Sequence, residues 1–174
     1  MKTTLLALCL LACAAAVAVA ARDDGKKGGK HPDLSGTWTL DRSKSDFGVF
    51  WDRPLAKTDA TLVVAHKEPE LKVTRTLRLN GREETKELVY YTDGRGESNP
   101  AAIGGGTADS KTNWERDSIV ARAKLSRPGA KGRVEVELIE TWRMSGDRKT
   151  LTHTAVMKGA FGEEEVRLVY RRAG

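Results

Sequence analysis

The chain has 174 residues, a formal charge of +6, 31% charged and 39% hydrophobic residues, and two cysteines, Cys9 and Cys13. Both cysteines fall in the first thirteen residues, so everything after them lacks disulfides, thiolate metal sites and cysteine nucleophiles and must be held by its core. Lysine and arginine alternate with glutamate in stretches such as RVEVELIETWR and EEEVRLVYRR. That describes solvated strand faces and argues against a nucleic-acid footprint, which needs a basic block with stacking aromatics.

Residues 1–20, MKTTLLALCLLACAAAVAVA, combine Lys2, an apolar run from Leu5 to Val19 and the small-x-small triplet Ala18-Val19-Ala20. The expectation is a signal peptide cleaved near Ala20, giving a periplasmic or secreted protein with no transmembrane segment in its mature chain. Leu10-Leu11-Ala12-Cys13 offers an alternative, a lipoprotein anchored at Cys13, against which the residues after Cys13 stay apolar. Residues 21–33 are polar and Gly- and Lys-rich, a flexible leader, and 34–174 form one domain of ordinary size.

From Leu34 onward the apolar residues recur with period two, the signature of half-buried strands. In ELKVTRTLRL, Leu71, Val73, Leu77 and Leu79 share a face with Arg75. In RVEVELIETW the shared face carries Val134, Val136, Leu138, Glu140 and Trp142, and in VRLVYR it carries Val166, Leu168 and Tyr170. No stretch has helical spacing. Asn80-Gly81 suits a tight type I′ hairpin, and Gly- or Pro-containing turns separate the other runs. Strands are predicted at 36–41, 60–66, 70–79, 83–92, 108–115, 118–125, 133–143, 149–157 and 163–172. The fold class is all-β: an antiparallel up-and-down meander of about 8–10 strands that closes into a barrel or folds over as a sandwich, because open edges are a liability. Two stretches exceed a simple hairpin: 42–59, holding Phe47, Phe50 and Trp51, and the Gly-rich 93–107.

The chain is poor in catalytic signals. His31, His66 and His153 lack metal-ligand spacing, no serine sits in a nucleophile elbow, and Gly104-Gly105-Gly106 lacks the context of a phosphate cradle. No metal or cofactor is expected. Arg75 and Glu140 fall on apolar faces and must be paired or hydrated there. They pair with each other, or a bulge turns one outward, or Arg75 anchors a ligand carboxylate while Tyr90 and Trp142 form apolar wall, with His153 on the same inward side.

Gly36-Thr37-Trp38 at the head of the first strand resembles the lipocalin and wider calycin pattern. SGTWTLDRSKSDFG, with TDG and WRMSGDRKTLT further on, resembles small exported lipocalin-like proteins of bacteria. The resemblance implies a lipocalin-like barrel in which Trp38 plugs one end beside Gly36 and Arg171 or Arg172 packs across it; otherwise Trp38 is an ordinary core residue beside a turn glycine. It also implies a cup for a small hydrophobic or amphipathic ligand; the aromatic loop with Phe47, Phe50 and Trp51 is expected to act as a lid near its open end. This chain departs from the pattern in having Tyr91-Thr92-Asp93 in mid-chain and no disulfide. An envelope interaction module with a filled core, or a small-molecule enzyme using Arg75, Glu140 and His153, are the other readings.

Overall fold

The computed structural model describes residues 31–48, 57–100, 106–129, 132–159 and 162–174. The expected signal peptide, most of the leader, and Phe50 and Trp51 lie outside the described residues. Ten antiparallel strands make one sheet: β1 Gly36–Leu40, β2 Asp59–Lys67, β3 Glu70–Leu79, β4 Arg82–Tyr91, β5 Glu97–Pro100, β6 Thr107–Glu115, β7 Ser118–Gly129, β8 Gly132–Met144, β9 Thr150–Gly159 and β10 Gly162–Arg172. Their order is β4-β3-β2-β1-β10-β9-β8-β7-β6-β5, so every neighbour is a hairpin partner except β1 and β10. The sheet rolls into a nearly closed barrel, bearing out the all-β meander read from the alternation. Among the described residues no helix is long and apolar enough to cross a membrane.

Local chemistry sets the registers. Asn80 and Gly81 both take positive φ, 51° and 76°, as a two-residue turn between Leu79 and Arg82 requires. The alternation then turns Leu71, Val73 and Arg75 of β3 to the interior and leaves Lys72 and Arg78 outside. Beyond β1 a 3-10 turn, Arg42–Lys44, bulges out before Asp46 returns to pair with Arg167 of β10 through two backbone bonds of 2.7 and 2.8 Å. That return brings Phe47 back to a buried position.

β5 is the strand that alternation does not reveal. Glu97-Ser98-Asn99-Pro100 offers no apolar residue before its proline, so it reads as loop. Its work is to close the barrel where β4 and β5 stand at opposite ends of the sheet order. The Val89 N–H donates to Asn99 Oδ1, and Asn99 Nδ2 donates to the Val89 carbonyl, both at 2.8 Å. One amide side chain thus stands in for a peptide group of a neighbouring strand. Glu97 adds a second stitch, accepting from the Tyr91 N–H at 3.2 Å and from Ser110 and Thr112 hydroxyls at 2.6 Å each.

Candidate functional site

The interior is graded along the barrel axis. Where β1 begins and β10 ends, the inward side chains are sealed: Trp38, Leu62, Leu71, Val73, Ile119 and Leu151 are all 0% exposed. Each such burial contributes about 1.5–3 kcal/mol. Toward the opposite end, where β2 starts and the β3–β4 hairpin turns, inward residues Leu77, Val136, Ala155, Met157 and Leu168 are only half-buried. Of these, Val136, Ala155 and Met157 pack against a second, smaller apolar cluster of Ala108, Ala123, Leu125 and Leu138, and Leu77 and Leu168 against the main one. Solvent-sized space therefore reaches into this half from its mouth. Part of it is a cavity of about 30 Å³ between Phe47, Arg75 and Tyr170, with Ala60, Leu77 and Leu168 as apolar walls.

A polar layer separates the two halves. Glu140 of β8 accepts from the Tyr90 hydroxyl of β4 at 3.1 Å, and its other oxygen lies 3.1 Å from His153 Nε2 of β9. The His153 ring stacks on Trp142 at 3.8 Å between centroids, and Tyr90 meets Trp142 edge-on at 6.3 Å. All four side chains are buried. Burial alone pushes the Glu140 carboxyl up; the His153 contact, the Arg75 charge and the Tyr90 hydroxyl outweigh it and hold Glu140 below the usual carboxylate range. Burial and the Glu140 charge push Tyr90 well above an ordinary phenol. Burial raises Tyr170 to about 12, with Arg75 pulling the other way.

The residues singled out from sequence fall into three groups. Tyr90, Glu140, Trp142 and His153 come together in the polar layer, and Arg75 faces the same interior beside Phe47, acting on Glu140 through its charge. Gly36, Trp38 and Arg172 meet at the sealed end, where the Arg172 guanidinium lies 4.2 Å from the Trp38 ring centroid. Arg172 also donates to the Ser35 carbonyl at 2.9 Å and the Arg148 carbonyl at 3.0 Å, while Trp38 Nε1 donates to the Leu34 carbonyl at 3.1 Å. Gly36, at φ 139°, lies so close under Arg172 that a Cβ there would collide with Nη1. Arg171 instead points outward, 3.2 Å from Asp41.

Several polar residues of the interior and the sealed end escaped the sequence reading. Glu97, Asn99, Ser110 and Thr112 carry the seam, and the inward alternation Ala108, Ser110, Thr112, Trp114 was the signal available for the last two. At the sealed end Glu68 accepts from Trp114 Nε1 at 2.6 Å and from the Thr92 hydroxyl and lies 3.0 Å from His66 Nε2, while His31 stacks on Trp114 at 4.2 Å. Neither histidine belongs to a metal set; among the described residues no group of three potential ligands gathers.

Fold and site together define an antiparallel up-and-down β-barrel with a sealed end, a polar layer and an apolar mouth. Among solved structures the chain is similar to zebrafish ileal bile acid-binding protein complexed with cholic acid: TM-score 0.53, 13% identity, over 80% of this chain and 98% of that one. It is also similar to secretory abundant heat soluble protein 4 from Ramazzottius varieornatus: TM-score 0.52, 14% identity, over 82% of this chain and 96% of that one. No family model and no curated protein matches the chain. At these identities the likeness speaks for the fold.

Proposed function

We propose that this protein is an exported, lipocalin-like barrel that binds a small hydrophobic or amphipathic molecule in its mouth half, above the Tyr90–Glu140–His153 layer. The observation that carries this reading is the burial gradient: inward apolar side chains are fully buried below the layer, while above it Leu77, Val136, Ala155, Met157 and Leu168 are only half-buried. Apolar walls with a few placed polar groups are the usual make-up of a small-molecule site. The zebrafish bile acid-binding protein, complexed with cholic acid, supports the reading with a similar barrel that holds a ligand of that general class. Export rests on the N-terminal signal pattern, and N-terminal sequencing of the protein recovered from culture fractions tests it by looking for a start at Ala21. Native mass spectrometry after exposure to a lipid extract, with thermal shifts by apolar probes, tests the cup. Finding neither an adduct nor a shift sinks it. In that event the sealed half of the barrel favours the second reading, a filled module that meets an envelope partner through its outer surface.

A further inference from the structure

The cavity of about 30 Å³ beside Phe47 is lined by two buried side chains that donate hydrogen bonds. Arg75 of β3, 7% exposed, brings a guanidinium to it, and Tyr170 of β10, 1% exposed, brings a phenol. Among the described residues the Tyr170 hydroxyl has no hydrogen-bond partner, and burial keeps it protonated up to about 12, so it is a donor at neutral pH. A guanidinium has five N–H groups and accepts nothing. Both side chains therefore ask the cavity for oxygen lone pairs. Arg75 also stands directly opposite Lys86 of β4, which shares the inward face of Leu88 and Tyr90. Like charges so placed destabilise a strand pair, and Glu84, which lies 2.9 Å from Lys86, is itself exposed and screened by solvent. The walls formed by Ala60, Leu77 and Leu168 are apolar, and the last two are half-buried on the way to the mouth. At about 10–15 Å³ for each water-sized group, the space seats two or three, the size of a carboxylate and too little for a phosphate or a sugar.

We propose that this cavity is the seat of a carboxylate: the molecule held in the cup is an amphiphile ending in a carboxylic acid, whose oxygens accept from Arg75 and from the Tyr170 hydroxyl while its hydrocarbon runs past Leu77 and Leu168 toward the mouth. This rests on the cup reading and names the ligand class within it. A carboxylate brings two accepting oxygens and the charge that complements a guanidinium. An alcohol brings one oxygen and no charge, so it does less for both donors. Glu140, the buried carboxylate of the polar layer, has one oxygen on Tyr90 and the other on His153, and none of these three lines the cavity.

The test is displacement of the hydrocarbon probe diphenylhexatriene from the purified protein at pH 8 by dodecanoate and by dodecanol. Dodecanoate is expected to displace the probe at about tenfold lower concentration than dodecanol, the size of hydrogen bonds made to a buried charge. Tyr170→Phe keeps the ring and removes the hydroxyl, and should cut that preference several-fold. Arg75→Gln removes the charge and should abolish it. Dodecanol equal or better on the unaltered protein overturns the carboxylate seat and leaves the cup standing. An undiminished acid preference in Tyr170→Phe, or in a folded Arg75→Gln, also overturns it. If Arg75→Gln fails to fold, the order of acid and alcohol on the unaltered protein and the Tyr170→Phe result decide the case. Absence of probe binding removes the cup and the carboxylate seat together.

Discussion

The two halves of the barrel are built from the same alternation and differ in what the alternation points inward. Below the polar layer the inward residues are large and interlocked, with Trp38, Leu62, Leu71, Ile119 and Leu151 fully buried and Arg172 laid over the Trp38 ring. Above it small residues, Ala108, Ala123 and Ala155, stand among larger ones, and Leu77, Val136, Met157 and Leu168 are only half-buried. One half supplies cohesion. The other gives some of it up to hold an opening, the usual division where binding surfaces rest on a rigid scaffold.

The sharpest way to break that contrast is to truncate matched positions. Trp38→Ala is expected to cost about 3–5 kcal/mol in urea unfolding, while Met157→Ala in the half-buried mouth costs about 1 kcal/mol. Equal costs would mean that the mouth half is packed as tightly as the plug. Next in size is the layer between them. Because Glu140 is held below its ordinary 4.5 in the fold, its stabilisation is complete above that value and is lost as pH falls through the lower folded one. Glu140→Gln should therefore cost about 1–2 kcal/mol at pH 7 and flatten the acid limb of stability against pH. On the alkaline side the sign reverses. Tyr170 ionises near 10 when unfolded and about 12 when folded, so stability declines from pH 10 upward until both states have ionised, and Tyr170→Phe should remove that part of the decline. A smaller effect separates the adjacent arginines. Arg172→Ala should cost about 1–2 kcal/mol for its ring contact and two carbonyl bonds, and Arg171→Ala, whose own side chain is exposed beside the buried Asp41, less than that.

What could be read in advance followed from how far a local pattern controls the outcome. β3, β8 and β10 carry apolar side chains at most alternate positions, so their burial announces them, and Asn80-Gly81 sets its hairpin from two residues alone. β5 was hidden because its pairing is carried by Glu97 and Asn99, whose partners lie on β4 and β6 and leave no trace in local hydropathy. In the candidate site Glu140, Trp142, Tyr90 and His153 could be singled out as inward from period two. That Glu140 would find Tyr90 fifty positions away was beyond any local pattern, because barrel closure decides it. The two prospective partners Arg171 and Arg172 illustrate the same limit, since neighbours on a strand face opposite ways and only register says which one meets Trp38.

The pairing of β1 with β10 has a consequence for how the chain assembles. The first strand pairs with β2 early but cannot find its second partner until the last strand has been made, and the Ala173 N–H then donates to the Thr37 carbonyl at 2.8 Å, leaving the two ends of the domain side by side. Every other adjacent pair of strands is sequential, and the sheet's two edges fall between β4 and β5. A circularly permuted gene, with the old ends joined by a short linker and new ones opened among residues 92–96, would encode the same barrel as an unbroken run of neighbours. In such a chain the long-range closure would move from the β1–β10 pairing to the Asn99 clasp, which would then join its first strand to its last.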